Sequence, residues 1–234
     1  MQLSTLQKTG LLAVAVIASL LFSPKWFSAL GVWLYYPALL LLLRHGNWKW
    51  WVGSYLALLP PLVASQLGVI PLPFTEMVVF FSVGNAIGLL PFLLDRLASR
   101  KLPSWAALFV FPIAATALDV FFSNGPQGTW GNNAYTQVHF RPLLQVAAVT
   151  GIFGINFLYY WFATVVVNAC EGRQWRRPQW AFTITFALVL LGGSVRLLQE
   201  PSGKEVAMAA IHVDNHAVYE AAYLATTGER ISIG

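Results

Sequence analysis

The chain has 234 residues, of which 57% are hydrophobic and only 10% are charged. This composition excludes a soluble globular domain and is typical of a polytopic membrane protein whose apolar surface faces lipid. The net charge of +5 does not indicate a nucleic-acid partner, because the basic residues lie in clusters between apolar runs, where they determine membrane topology. The single cysteine, Cys170, excludes a disulfide framework and a thiolate metal cluster, and its place at the end of an apolar run predicts a small buried thiol.

Seven apolar segments follow one another along residues 1–199. Each is close to the ~20 residues that a helix needs to cross ~30 Å of hydrocarbon, and tryptophans cluster at the segment ends. Because lipid offers no hydrogen-bonding partner to an open strand, segments of this length predict helices. In chain order they are Leu6–Phe22, Trp26–Leu43, Trp50–Gly68, Phe74–Leu94, Ser104–Phe122, Leu143–Ala169 and Gln179–Leu198. The sequence therefore predicts an all-α polytopic membrane domain with about seven transmembrane helices over residues 1–199.

The distribution of Lys and Arg favours a cytoplasmic N-terminus. With that orientation, nine of the 14 basic side chains lie on the inner side of the membrane and five on the outer side, as the positive-inside rule requires. Residues 123–142, between the fifth and sixth segments, and the tail after Leu198 are then both expected outside the cytoplasm.

The connection Asn124–Pro142, here called the 124–142 loop, is long and almost uncharged. Its sequence, NGPQGTWGNNAYTQVHFRP, holds one formal charge, on Arg141, in nineteen residues. A solvated connector is normally short and charged. A long neutral one that is rich in Gly, Asn and aromatic residues predicts a segment folded at the membrane surface, where loops tend to carry function.

The composition changes after Glu200. Val206–Val213 is a short apolar run between turn signals, which predicts a buried strand, and Tyr219–Leu224 has the pattern of the first turns of a helix. One strand and part of a helix do not bury a core, so residues 200–234 are predicted to be the incomplete beginning of an α/β domain. His212 and His216 have the spacing of metal ligands, but a third ligand is missing and no metal site is expected.

A series of short motifs runs through the chain in a fixed order. They are Phe22-Ser-Pro-Lys-Trp26, Gly128-Thr-Trp-Gly131, Ala134-Tyr-Thr-Gln137, Pro142-Leu-Leu-Gln145 and Gly151-Ile-Phe-Gly-Ile-Asn-Phe-Leu158. These motifs resemble the membrane part of apolipoprotein N-acyltransferases, the bacterial enzymes that add the third acyl chain to lipoproteins. Asp119 stands where members of that family usually carry a carboxylate, and Val206–Val213 resembles the first strand of their nitrilase-like domain. The resemblance is specific over residues 119–168 and looser elsewhere.

The resemblance implies an acyltransferase of the bacterial cytoplasmic (inner) membrane that needs no cofactor. Members of the family take an acyl chain from a phospholipid onto the thiolate of a Glu-Lys-Cys triad, and pass it to the N-terminal diacylglyceryl-cysteine of a lipoprotein. The triad belongs to the nitrilase-like (carbon-nitrogen hydrolase) domain and is not found in residues 1–234. Cys170 does not replace the nucleophile, because it is expected at the inner end of its helix, across the membrane from the tail. The chain alone is therefore expected to be inactive, with no catalytic residue of its own.

Two other classes of protein are alternatives. One is a non-enzymatic membrane module that binds lipid or serves as a scaffold. The other is a small transporter, which is disfavoured because the centres of the apolar segments are almost free of charged and polar groups.

Three residues near the 124–142 loop are candidates for contact with a substrate or a lipid headgroup at the entrance to the missing domain. Asp119, one turn from the end of an apolar segment, either reaches for water or Arg141, or orients the loop or a headgroup. Trp130 and Tyr135 belong either to the interfacial aromatic belt or to the outer mouth at which acyl chains enter.

Three uncharged polar residues complete the candidate set. Gln137 either joins helices through a hydrogen bond or contributes to the same entrance, and the sequence leaves both open. Gln145 and Asn156 are expected to join neighbouring helices through hydrogen bonds.

Overall fold

The computed structural model describes the chain over residues 2–99, 101–126, 128–172 and 176–199. These ranges contain ten α-helices and one 3₁₀ helix, Asn133–Gln137, and no β-strand is found within them. The α-helices are α1 (Thr5–Leu21), α2 (Leu30–His45), α3 (Trp48–Gln66), α4 (Phe74–Gly88), α5 (Leu90–Ala98), α6 (Ser104–Ser123), α7 (Arg141–Leu144), α8 (Ala147–Thr150), α9 (Ile152–Cys170) and α10 (Arg176–Leu197). The predictions for the tail, namely the strand Val206–Val213, the helical turns Tyr219–Leu224, the two histidines and the domain 200–234, fall outside the described residues.

Local sequence signals explain where several helices begin. α1 starts with a capping box, in which the Ser4 hydroxyl accepts a hydrogen bond from the backbone N–H of Gln7 and the Gln7 side chain accepts one from the backbone N–H of Ser4. Asn47 caps α3 through its side-chain oxygen. Pro73 and Pro103 precede α4 and α6. Proline is tolerated at a helix start, because the N–H that it lacks would have no hydrogen-bond partner within the helix.

Within the described ranges, four stretches of helix are long and apolar enough to cross a membrane. They are Phe74–Ala98, Trp105–Ser123, Ile152–Cys170 and Gln179–Leu197. α1 and α2 are apolar but shorter, with 17 and 16 residues. The prediction of a helical chain with several helices long and apolar enough to cross a membrane is confirmed for the described residues, whereas the count of seven crossings stays a prediction.

The sixth apolar segment is not one helix, so the prediction of a continuous span over Leu143–Ala169 is wrong in its first part. The structure divides it into α7, α8 and α9. Gly151 causes the second break: its φ of +65° lies in the left-handed region, which ends α8 and turns the chain into α9.

The fourth apolar segment also bends, at Leu89 between α4 and α5. Gly88 ends α4, and Pro91 occupies the first turn of α5, where it contributes no N–H to the helical ladder. The two helices together form the 25-residue stretch Phe74–Ala98, which keeps the length of a single membrane crossing.

α2 and α9 form the centre of the bundle, and more than half of the residues in each are buried. The two helices run in the same direction. The Trp33 ring packs against Tyr159 and Phe162, and Arg44 contacts Asn168 near their C-terminal ends. α6 runs the opposite way, because Asp119 near its end contacts Asn156 near the start of α9. These directions agree with successive crossings, but which end faces the cytoplasm stays a prediction.

A buried ion-pair network joins α2, α5 and α9 at the end of the bundle away from the 124–142 loop. Nε and Nη2 of Arg44 donate to the two carboxylate oxygens of Asp95 at 2.8 and 2.9 Å, and its Nη1 donates to Asn168 Oδ1 at 3.1 Å and Glu171 Oε1 at 3.3 Å. His45 Nε2 lies 2.9 Å from the same oxygen of Glu171. We call these five residues the Arg44 cluster. The sequence assigns Arg44 only a role in topology, yet its side chain is 6% exposed and that of Asp95 is 0% exposed.

Cys170 is exposed, so the prediction of a buried thiol is wrong. It is the last residue of α9, where the helix leaves the core. Asn168, two residues earlier, is the one that turns inward to Arg44. A residue at a helix end is buried only if its own side of the helix has a packing partner.

Candidate functional site

The 124–142 loop is folded, as the sequence predicts. Its 3₁₀ helix is capped by Asn132, whose side-chain oxygen accepts a hydrogen bond from the backbone N–H of Ala134 at 2.9 Å. Gly128 and Gly131, which begin and end one of the motifs, have φ angles of +57° and +75°. This left-handed conformation is strained for residues with a Cβ, so the spacing of the two glycines follows from the turn that they form.

Gln137 fastens this loop to the start of α2. Its side chain is 0% exposed, its Nε2 donates to the Ala29 carbonyl at 3.0 Å, and its Oε1 accepts from Trp33 Nε1 at 3.1 Å. A buried amide that satisfies donors and acceptors on another element holds the two elements in register. The structure therefore places Gln137 in the interior, where it positions the loop and does not reach the surface.

A second contact connects the loop to Asp119 through two tyrosines. Asn133 Nδ2 donates to the Tyr36 hydroxyl at 2.7 Å. The Tyr36 ring meets the Tyr160 ring edge to face, with centroids 4.7 Å apart. The Tyr160 hydroxyl donates to Asp119 Oδ2 at 2.9 Å. Hydrogen bonds and ring contacts thus run without a gap from the loop to the carboxylate.

Asp119 is held by α9. Its Oδ2 accepts a hydrogen bond from Asn156 Nδ2 at 2.6 Å as well as the one from Tyr160. Among the described residues Asp119 has no ion pair, so its bonds go to neutral donors of α9 and not to Arg141. The prediction that Asn156 joins two helices is confirmed, since this bond connects α9 to α6.

A cavity of about 150 Å³ opens beside Asp119. α6 supplies Leu118, Phe111 and Asp119 to its lining, α9 and α2 supply Tyr160 and Tyr36, and α5 supplies Phe92. Gly88 and Pro91, on either side of the interruption at Leu89, also line the cavity. We call this cavity the Asp119 pocket. Its walls are apolar or aromatic and its one carboxylate lies near the end of α6, an arrangement suited to an amphiphilic ligand.

The remaining two candidates lie on the outside of the loop. Trp130 is 48% exposed and Tyr135 is 43% exposed, and neither lines the Asp119 pocket. The Tyr135 hydroxyl lies 2.7 Å from Thr129 Oγ1, which fixes the ring on the surface of the loop. Of the four candidates, then, one lines the pocket, one is an internal anchor, and two are exposed aromatic rings.

Sequence reasoning missed Tyr36, Phe92, Asn133 and Tyr160. The spacing of Asn156 and Tyr160 was a usable signal, because residues four apart lie on one face of a helix and both carry donors suited to a carboxylate. Phe92 had no such signal, since its place in the pocket depends on how α5 packs against α2 and α6.

In comparisons with known proteins, no family model, curated protein or solved structure matches the chain. In the described part of the chain, no group of three metal-ligating side chains comes together. The chemistry that the site can support therefore depends on the Asp119 pocket and on the 124–142 loop that contacts it through Tyr36.

Proposed function

We propose that the chain is the membrane part of an apolipoprotein N-acyltransferase-like protein, which transfers an acyl chain from a phospholipid to the N-terminal diacylglyceryl-cysteine of lipoproteins. One observation carries the proposal. The 124–142 loop, which bears the family-like motifs, is hydrogen-bonded to Tyr36, a lining residue of the Asp119 pocket, and the pocket lies among helices that are long and apolar enough to cross a membrane. A lipid that enters from the side of such a bundle can present its headgroup to the loop while its acyl chains stay in the membrane.

In this proposal residues 1–199 anchor the protein in a bacterial inner membrane with seven crossings and a cytoplasmic N-terminus. The 124–142 loop and residues 200–234 lie on the extracytoplasmic side, and the latter begin a nitrilase-like domain. Asp119 contacts the headgroup of the phospholipid at the pocket, and Trp130 and Tyr135 line the way from the pocket to that domain. The thioester chemistry belongs to a Glu-Lys-Cys triad of the nitrilase-like domain, so the helical part supplies binding and orientation.

The alternative is a lipid-binding or scaffold module that performs no chemistry. The Asp119 pocket would serve such a module equally well, because an amphiphilic pocket binds lipid whether or not a nucleophile stands nearby. The two proposals differ in whether the helical part supports acyl transfer once a hydrolase domain is attached.

A chimera distinguishes them. Residues 1–199 are joined to the nitrilase-like domain of a characterised apolipoprotein N-acyltransferase and produced in bacteria whose own enzyme is depleted. The proposal predicts that mass spectrometry finds one additional acyl chain on the N-terminal peptide of a lipoprotein. The 234-residue chain produced alone should add none, because it does not contain the triad.

Two controls make the result specific. The same chimera with the nucleophilic cysteine of the hydrolase domain replaced by alanine should be inactive. An unrelated membrane anchor joined to the same hydrolase domain should give at least about tenfold less product, as expected when positioning of the substrate is lost. Equal product from the unrelated anchor would contradict a role of these helices in acyl transfer, and the scaffold alternative would then be favoured.

A further inference from the structure

α5 is a short helix with two different faces. Leu90, Leu93, Leu94 and Leu97 are exposed on one side, whereas Phe92 and Asp95 are buried. The two buried residues are three positions apart, so they lie on the same side of the helix. That side faces the core, and the leucines face outward, where lipid surrounds a membrane helix.

The buried face of α5 contributes to two different features of the bundle. Phe92 forms a wall of the Asp119 pocket and packs against Phe111, with ring centroids 4.7 Å apart. Asp95, nearly one turn further along the helix, accepts two parallel hydrogen bonds of 2.8 and 2.9 Å from Arg44. A displacement of Asp95 away from Arg44 must therefore also move Phe92, because both belong to one rigid turn of helix.

The connection to α4 allows such a displacement. At Leu89 the helix is interrupted, with Gly88 before it and Pro91 after it, and proline contributes no hydrogen bond across the bend. Bends of this kind, at a few residues where one element ends, are where hinge motions are absorbed. α5 thus begins at an interruption of the helical hydrogen bonds, and near its end it is held by Arg44.

The ion pair between Arg44 and Asp95 has a fixed geometry. The guanidinium of Arg44 also donates to Asn168 and Glu171 of the α9 end, so its plane is fixed from two sides. A bidentate pair between a guanidinium and a carboxylate is directional and is stronger than a neutral hydrogen bond. Arg44 therefore ties α5 to the α2 and α9 centre of the bundle.

We propose that Arg44 and Asp95 are positioning residues for the Asp119 pocket: their ion pair fixes α5 so that Phe92 closes one wall, and its loss lets α5 swing outward and widens the lateral opening. This deepens the proposed function, on which it rests for the identity of the ligand as a phospholipid. The movement of α5 itself is independent of any acyl transfer, so its measurement succeeds or fails separately.

Distances between spin labels test the proposal on the 234-residue chain in lipid bilayers. Cys170, which is exposed, is first replaced by serine. Labels at Leu94→Cys on α5 and Leu188→Cys on α10 report the position of α5, and labels at Val79→Cys on α4 and Leu188→Cys form the control pair. All three sites are exposed, so the labels need not disturb the core.

With Asp95→Asn, the α5–α10 distance distribution should shift and broaden while the α4–α10 distribution stays the same. Arg44→Lys keeps the charge but loses the bidentate geometry, so it should give a smaller shift in the same direction and serves if Asp95→Asn does not fold. An unchanged α5–α10 distribution in a folded variant would overturn the proposal. Equal broadening of both pairs would overturn it too, since the ion pair would then stabilise the bundle as a whole.

Discussion

Asp95→Ala is expected to lower the free energy of unfolding by about 3 kcal/mol, because it removes the closer of the two carboxylates that Arg44 contacts in a buried site. Asp95 is 0% exposed and receives two hydrogen bonds from Arg44, which is itself almost fully buried. Removal of the carboxylate leaves the guanidinium charged in a site that water does not reach. Unfolding of the purified protein in detergent, followed by circular dichroism, measures the loss.

Two comparisons separate this effect from the loss of any carboxylate. Glu76→Ala removes an exposed carboxylate from the first turn of α4 and should change the free energy of unfolding by no more than about 0.5 kcal/mol. The double variant Arg44→Met/Asp95→Leu should be less destabilised than Asp95→Leu alone, because the guanidinium that has lost its closer carboxylate is removed as well, and Glu171 keeps its contact with His45. If Asp95→Ala lowers the free energy of unfolding no more than Glu76→Ala does, the Arg44 cluster does not stabilise the fold as expected.

Gly193→Ala is expected to destabilise the bundle by about 1–3 kcal/mol through a clash between α10 and the start of α7. A Cβ at Gly193 would lie 2.0 Å from the carbonyl oxygen of Pro142. That oxygen belongs to the backbone and cannot turn aside as a side chain would. α10 must therefore move away from the segment that begins the sixth apolar region, and the thermal unfolding temperature should fall.

Gly192 provides a matched control in the same turn of helix. A Cβ there meets nothing within 4 Å, and Gly192 is exposed. Because alanine favours a helix over glycine by about 1 kcal/mol, Gly192→Ala should leave stability unchanged or raise it. The two neighbouring substitutions are thus expected to have opposite signs. A fall of similar size in both variants would show that the cost arises from the helix itself and not from contact with Pro142.

The general architecture could be predicted because it depends on local properties of the chain. Runs of apolar residues indicate helices long enough to cross a membrane, and the positions of Lys and Arg predict which end of each helix faces the cytoplasm. The two bends could not be located in this way. Glycine and proline are common in membrane helices, so their presence at Gly151 and Pro91 does not say whether the helix continues.

The Arg44 cluster was missed for a related reason. A basic residue at the end of an apolar segment normally lies at the membrane surface, and Arg44 has that position in the sequence. Its burial results from three helices meeting there, one of which brings Asp95 from 51 residues further along the chain. Pairing over such separations follows from tertiary packing, which no local pattern encodes.

The candidate site was predictable in part. Asp119 stands out as an ionisable residue in an apolar segment, and Asn156 as a polar residue on the facing helix, and the structure brings them within 2.6 Å. For Gln137 the sequence left two roles open, a hydrogen bond that joins helices and a place at the entrance, because its type and position do not say which way the side chain points. Only the folded loop shows that its amide bonds with Ala29 and Trp33 and is withdrawn from the surface.

In the proposed function, a phospholipid enters the helix bundle at the Asp119 pocket. Photo-crosslinking tests it most directly, with the 234-residue chain in bilayer discs that contain a phospholipid bearing a diazirine on one acyl chain. Mass spectrometry of the peptides then locates the attached lipid.

We expect Phe92, Leu118 and Phe122, which line the pocket, to be labelled at least about tenfold more than Leu188 on the exposed surface of α10. Leu118→Trp, which fills the pocket, should remove this enrichment and leave the labelling of α10 unchanged. Labelling of the pocket residues at or below the level of Leu188 would contradict the claim.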